Sequence, residues 1–118
     1  MTLGFIKSLL NARVLHGEEF LDREVYTACG SDMMSDVLAH VDDQSVLITG
    51  LCNPQVIRTA EMMDIVCIIM VRNKKPDEAM ISMAQERNIC LLGTSLPMFT
   101  TCGILYDKGM RGGAHHGE

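Results

Sequence analysis

Polar residues that could bind a small ligand follow three of the strands predicted from this sequence. In open α/β sheets, ligands bind beyond the carboxyl ends of the strands. A helix that begins there adds free N–H groups and a positive dipole end, which attract phosphate or carboxylate groups. We therefore predict a site for a small anionic ligand, a nucleotide or another phosphorylated metabolite. Its candidate residues are Ser31, Asp32, Thr49, Gly50, Cys52, Asn53, Gln55, Arg58, Thr94 and Ser95.

Each of these residues also has a purely structural interpretation. Polar side chains beside a helix start commonly cap the helix by accepting hydrogen bonds from its free amides. For any one residue taken alone, capping is the simpler interpretation. Arg58 could reach back over the loop to an anion, or it could pair with Glu61 or Asp64 on its own helix.

Two arrangements would support catalysis or cation binding, and the sequence favours neither. Asp32 and Asp36 are four residues apart, so they could share a helix face and bind a cation or exchange protons. Solvated charge near a helix N-terminus explains them more simply. Cys52 could be activated by a helix N-terminus. A nucleophile also needs a base, and outside the tail only His16 and His40 could serve. We predict no catalytic residue.

The elements that must position these residues follow from hydrophobic periodicity and helix-capping signals. Strands are predicted at 13–16, 24–29, 45–49, 65–71 and 89–92, and helices at 3–10, 33–40, from 54, from about 77 to 88, and 97–108. From residue 45 onward, strands and helices alternate. That order predicts a single three-layer α/β domain with a mainly parallel sheet covered by helices. If strands 45–49 and 89–92 are neighbours, the loops at Gly50 and Thr94 meet.

The net charge and the lack of long apolar runs limit the kinds of partner and location that this protein can have. The net charge is −5 and the ten basic residues are scattered, which argues against a nucleic-acid partner. No signal peptide is evident, and no apolar run approaches the roughly 18 residues of a membrane helix, so we predict a cytoplasmic protein without membrane contact.

Five cysteines with no CxxC pair argue against a disulfide framework or a zinc site. His115-His116, in a tail expected to be disordered from 112 to 118, is weak evidence for a metal. We predict no metal and no cofactor.

Three stretches of the sequence resemble a known family. They are "SDMMSDVLAH", the strand "VLITG" with its following helix, and a final stretch that carries Phe99, Gly103, Leu105 and Tyr106 after Thr94 or Ser95. Together they resemble the DRTGG domain family, which is similar to the N-terminal domain of HPr kinase/phosphorylase and to a middle domain of some phosphotransacetylases. The resemblance extends over roughly Leu3 to Arg111, and residues 1–111 would form one such domain.

The resemblance implies a regulatory or ligand-sensing module, a homodimer, and association with larger enzymes. Iron hydrogenase systems are among the enzymes whose neighbourhood contains such proteins. The resemblance therefore also allows a second hypothesis, in which the protein is an interaction or assembly module with no small ligand. Kinase activity is not expected, because the chain has no GxxxxGK[ST] loop. The namesake acidic-basic-glycine loop would follow the "VLIT" strand, yet this chain has neither Asp nor Arg between Gly50 and Pro54.

Overall fold

Five strands form one mixed sheet in the order β1-β5-β4-β3-β2, in a computed structural model that describes residues 1–40 and 45–112. The strands are β1 (Arg13–His16), β2 (Ala28–Gly30), β3 (Val46–Thr49), β4 (Cys67–Met70) and β5 (Cys90–Gly93). Strands β2 to β5 are parallel, and β1 pairs with the edge of β5 in the antiparallel direction. The sheet is therefore mainly parallel, as the sequence predicts.

The helices cover both faces of this sheet. They are α1 (Leu3–Leu10), α2 (Met34–His40), α3 (Pro54–Met62), α4 (Glu78–Arg87) and α5 (Met98–Asp107), and a short 3-10 helix spans Glu18–Phe20. Helices α1 and α5 pack on one face, and α2, α3 and α4 pack on the other. The predicted three-layer domain is confirmed, and no helix in the described ranges is long and apolar enough to cross a membrane.

The core is built from strands that are apolar on both faces. Along β4, Cys67 and Ile69 face the α1 and α5 layer, whereas Ile68 and Met70 face the other layer. All four side chains are buried, as are those of β3 and β5. Continuous apolar runs of this kind are typical of central parallel strands covered on both sides. The core thus gives the strand ends a rigid base.

Local signals set the helix boundaries. Asn53 caps α3 and Pro54 occupies its first turn, where a missing N–H costs nothing. Asp77 caps α4 by accepting from the amide of Met80, and Asn88 ends that helix in the left-handed conformation. Gly109, just beyond α5, has φ 109°, as its predicted role at the helix end requires.

One prediction about a strand was wrong. The segment 24–29 was expected to be one strand, but only Ala28–Gly30 pairs continuously, because Glu24 and Thr27 make isolated bridges to other segments. The sequence left open whether β3 and β5 are neighbours, and in the structure β4 lies between them. The predicted helix position Val41, the turn at Asp42-Asp43 and residues 113–118, including His115 and His116, lie outside the described residues.

Candidate functional site

The loops after β2, β3 and β4 meet at the carboxyl end of the sheet, and Asp32 lies at their centre. Its Oδ1 accepts hydrogen bonds from the amide of Gly50 (2.7 Å) and the hydroxyl of Thr49 (2.9 Å). The Thr49 hydroxyl also accepts from the amide of Leu51 at 3.1 Å. The Gly50 amide and the Thr49 hydroxyl, both predicted to bind an external anion, therefore already bind an internal carboxylate.

The charge on Asp32 is stabilised by these contacts. The hydrogen bond from the Gly50 amide is the main reason that the pKa of the carboxyl lies below its ordinary value. Burial opposes this effect, and smaller contributions from Thr49 and Arg72 lower the pKa further. The side chain of Asp32 remains 46% exposed. This loop therefore stabilises a negative charge at a position that solvent can reach.

Arg72 supplies the positive charge of the site. Its Nη2 lies 3.9 Å from Asp32 Oδ2, and its side chain is 45% exposed. The guanidinium also lies directly over Gly50, since a Cβ built at Gly50 would be only 2.8 Å from Arg72 Cζ. Glycine at position 50 thus leaves the space that the guanidinium occupies.

The backbone that presents Arg72 is unusual. Arg72 and Asn73 have φ angles of 57° and 58°, in the left-handed region that costs most non-glycine residues roughly 1–2 kcal/mol. Their amides donate to the carbonyls of Leu96 and Thr94, which holds the turn in place. Strained residues of this kind cluster at ligand sites and active sites. The strained backbone together with the position beside Asp32 makes Arg72 a functional candidate.

Asp32→Asn is expected to remove an acid-dependent part of the stability. Because the folded-state pKa of Asp32 is depressed, its stabilisation is present above the unfolded pKa of roughly 3.9 and is lost as pH falls through the lower folded value. Urea unfolding of both proteins from pH 6 to pH 2 should show the steeper acid loss in the wild type. Parallel profiles would contradict this role for Asp32.

Asp32 and Asp36 do not share a helix face, so the carboxylate pair that the sequence allowed is not formed. Helix α2 begins at Met34, so Asp32 lies before it and reaches across to Gly50. The alternative role of Asp32 as a helix cap is also wrong, because its carboxylate binds the β3 loop. Ser31 makes the local contact, with its hydroxyl accepting from the amide of Met33 at 2.9 Å.

At the start of α3, the polar side chains form hydrogen bonds with groups of the helix itself. Asn53 Oδ1 accepts from the amide of Gln55 at 2.9 Å, and Arg58 lies 3.5 Å from Gln55 Oε1 on the exposed face. Of the alternatives for Arg58, the pair with Glu61 is not formed, because Glu61 binds Arg87 of α4 at 2.8 Å. Capping therefore accounts for Asn53, and Arg58 contacts a side chain of its own helix.

Cys52 has the properties of an unreactive thiol. Its Sγ donates to the carbonyl of Lys75 at 2.6 Å. Burial raises the pKa of this thiol, and Asp77 adds to the effect. The hypothesis of a thiolate activated by the helix N-terminus is not supported.

Thr94 and Ser95 lie in the loop after β5, where the Thr94 carbonyl accepts from the amide of Asn73 in the turn beside Arg72. The buried Thr94 hydroxyl donates to the carbonyl of Leu10 at 3.0 Å and accepts from the amide of Leu96 at 3.3 Å. Ser95 is exposed in the loop after β5. Since β4 separates β5 from β3, the loop after β5 adjoins the Arg72 turn and not the loop at Gly50, and the role of Thr94 and Ser95 in ligand binding stays a prediction.

The sequence prediction missed Arg72. It directly follows the buried run Ile65 to Val71, and that position at a strand's carboxyl end was the available signal. In the ranges 1–40 and 45–112, no three His, Cys, Asp or Glu side chains are close enough to hold a metal. The described site is thus one carboxylate, one guanidinium, a hydroxyl and a loop amide.

Comparison with known proteins now identifies the family. The model of the DRTGG domain matches residues 6–107. The chain belongs to the DRTGG domain family. A search of curated protein sequences finds no match. In this DRTGG domain, the loop expected to carry the namesake acid and base has neither, but Asp32 and Arg72 reach it from the neighbouring strand ends.

A solved structure from Clostridium perfringens shares the fold. It is the crystal structure of the CBS and DRTGG domains of the regulatory region of Clostridium perfringens pyrophosphatase, complexed with its activator, diadenosine tetraphosphate. The two chains are 17% identical with a TM-score of 0.71, over 88% of this chain and 45% of the other. This DRTGG domain therefore spans less than half the length of that structure.

Proposed function

We propose that this DRTGG domain is a non-enzymatic regulatory module that senses a small anionic ligand, a nucleotide or another phosphorylated metabolite. One observation carries the proposal. The exposed carboxylate of Asp32 is bound by the Gly50 amide and the Thr49 hydroxyl, beneath the guanidinium of Arg72. A group of this shape and charge is a close analogue of a ligand's carboxylate or phosphate oxygen.

Ligand binding would proceed by exchange. A phosphate oxygen would take the place of Asp32 Oδ1 on the loop amide and hydroxyl, and Arg72 would pair with the phosphate instead of with Asp32. Arginine suits this role because its planar donors match phosphate oxygens. Asp32 lies just before α2, so its release would free the start of that helix. The exchange would thus convert ligand binding into a movement that a partner domain can detect.

The similar clostridial structure supports this class of ligand. That regulatory region was crystallised with diadenosine tetraphosphate, which is a nucleotide polyphosphate. The likeness concerns the fold, so the ligand of this chain is assigned here only by the chemistry of Asp32, Gly50 and Arg72.

A thermal-shift panel tests the sensor proposal directly. The panel contains inorganic phosphate, pyrophosphate, ATP and diadenosine tetraphosphate. A ligand at 100 times its Kd stabilises a protein by about 2.7 kcal/mol, which for a domain of this size raises the Tm by roughly 10 °C. Arg72→Ala should abolish the shift. Arg58→Ala is the matched control, because Arg58 is exposed, contacts only Gln55 in the hydrogen bonds of the described chain, and should leave the shift intact.

Two outcomes would contradict the proposal. Unchanged melting across the whole panel would argue against an anion site. A shift that survives Arg72→Ala but disappears in Arg58→Ala would move the site to the surface of α3.

The second hypothesis, an assembly module that binds a larger enzyme without a small ligand, is favoured by a different feature. Several large apolar side chains are exposed, and the most exposed is Phe99 at 90%. Flat melting curves together with capture of a defined partner enzyme would favour this function over the sensor.

A further inference from the structure

Two buried cysteines face each other across neighbouring strands of the sheet. Cys67 begins β4 and Cys90 begins β5, and the two are direct partners in the register of these parallel strands. Both side chains are 0% exposed, and both belong to the core between the sheet and the α1 and α5 layer. The two thiols therefore lie side by side on one face of the sheet.

The backbone geometry of this pair suits a covalent bond between the two sulfurs. Neighbouring strands lie about 4.8 Å apart, so register partners have Cα atoms at about that separation. Disulfides join residues whose Cα atoms are roughly 4.4–6.8 Å apart and whose Cβ atoms do not point away from each other. Cys67 and Cys90 meet both conditions without any change of register. All five cysteines lie in the described ranges, and no other two of them are register partners.

The surroundings make Cys90 the more readily ionised of the two thiols. A hydrogen bond from Cys67 lowers the pKa of Cys90, burial opposes this effect, and the positive charge of Arg23 lowers the pKa further, with Glu18 and Glu19 acting weakly against it. Burial raises the pKa of Cys67, so that thiol keeps its proton. The thiolate is the nucleophile in cysteine chemistry, so Cys90 is the sulfur that reacts first.

A short segment of chain covers the pair and controls access to it. A Cβ built at Gly17 would lie 3.0 Å from Cys90 Cα, so the turn at Gly17 lies directly on this cysteine. Arg23 fixes the segment to the sheet by donating to the carbonyls of Val66 and Asn88. Local opening of such segments exposes groups that are buried in the native state. A reagent as small as hydrogen peroxide therefore reaches Cys90 when this segment opens, while the sheet stays intact.

We propose that Cys67 and Cys90 are a redox-active dithiol, which hydrogen peroxide oxidises to a disulfide between β4 and β5. The Cys90 thiolate attacks one oxygen of the peroxide, the O–O bond breaks, and the leaving hydroxide takes a proton to become water. Cys90 is then a sulfenic acid. The Cys67 sulfur attacks the Cys90 sulfur, the S–O bond breaks, and the hydroxyl leaves as a second water with the proton of Cys67. Two electrons pass from the thiols to the peroxide, and a dithiol reductant reverses the change.

The dithiol is independent of the proposed anion site. Cys67 and Cys90 are the first residues of β4 and β5, whereas Asp32 and Gly50 lie beyond the carboxyl ends of β2 and β3. Because parallel strands run in the same direction, the two sites lie at opposite ends of the sheet. A failure of either proposal therefore leaves the other standing.

Peroxide treatment of the folded full chain, followed by peptide mapping without reduction, tests the proposal. The oxidised protein should have two fewer free thiols than the five of the reduced protein, and a peptide that joins Cys67 to Cys90. Dithiothreitol should restore both thiols, which separates the disulfide from oxidised methionine. Because the bond closes a loop in the unfolded chain, the Tm should rise by on the order of 10 °C.

Three alanine variants make the test specific. Cys67→Ala and Cys90→Ala should each abolish the reversible rise in Tm, and having two such variants keeps the test sound if one of them fails to fold. Cys29→Ala is the matched control, because Cys29 is also a strand cysteine but packs on the opposite face of the sheet. It should form the same disulfide and show the same rise in Tm.

A wild type that forms no bond between Cys67 and Cys90 under peroxide would overturn the proposal. Mapping that finds Cys29, Cys52 or Cys102 joined as often as this pair would overturn it as well, because such a mixture arises from unfolded chains. A bond between Cys67 and Cys90 that lowers the Tm would do the same, since the folded sheet would then not accommodate it.

Discussion

Replacing Arg72 with glycine is expected to abolish the response to anions while raising the stability of the ligand-free protein. Arg72 has φ 57°, a conformation that glycine adopts without the steric cost borne by other residues. The substitution also removes the ion pair with Asp32, but two half-exposed charges 3.9 Å apart contribute little to stability. We therefore expect the free energy of unfolding to rise by up to about 1 kcal/mol, after the greater flexibility of glycine in the unfolded chain is subtracted.

Urea unfolding without ligand and thermal shifts with the anion panel measure the two effects separately. Asn73→Gly is the matched control, since Asn73 has φ 58° in the same turn. Asparagine tolerates this conformation better than arginine, so the gain in stability should be smaller, and the anion response should remain. An Arg72→Gly protein that is less stable than the wild type, or that still responds to anions, would remove the reason to assign a function to this strained turn.

The opposite pattern is expected at Thr94, where substitution should lower the free energy of unfolding and leave the response to anions unchanged. Valine matches threonine in shape but cannot donate to the carbonyl of Leu10 or accept from the amide of Leu96. Because Thr94 is 1% exposed, these backbone groups lose a partner that water cannot readily replace. The free energy of unfolding should fall by about 1–3 kcal/mol.

A loss of that size lowers the Tm by roughly 4–8 °C for each kcal/mol in a domain of about this length. The anion-induced shift should stay the same size in Thr94→Val. Thr94→Ser restores the hydroxyl and should recover most of the stability. If Thr94→Val instead lost the anion response at unchanged stability, the loop after β5 would belong to the site after all.

The two substitutions separate residues that look alike in the sequence. Thr49 and Thr94 each follow a buried apolar run and precede a loop and a helix. Both hydroxyls accept from the amide two residues later. They differ in the group to which they donate, since Thr49 donates to the half-exposed Asp32 carboxylate and Thr94 to the buried carbonyl of Leu10. Only the position of each strand in the sheet creates that difference.

What the sequence determined by itself was local. The apolar runs at Ile65 to Val71 and Ile89 to Leu92 predicted buried strands, and Asn53-Pro54 predicted the start of α3. These features depend on periodicity and on hydrogen bonds between residues a few positions apart. The alternation of strands and helices along the chain also predicted the layered α/β fold, because short connections between elements allow few arrangements.

The tertiary structure alone decided which strand ends are neighbours. Placing β4 between β3 and β5 separated Thr94 from the loop at Gly50 and brought Arg72 next to that loop. The same arrangement placed Asp32 against the Gly50 amide, although local signals allowed it to cap its own helix. The free energy that selects strand order comes from burying whole apolar faces of the sheet. It is not encoded in the few residues around each loop, so the composition of the site could not be predicted from them.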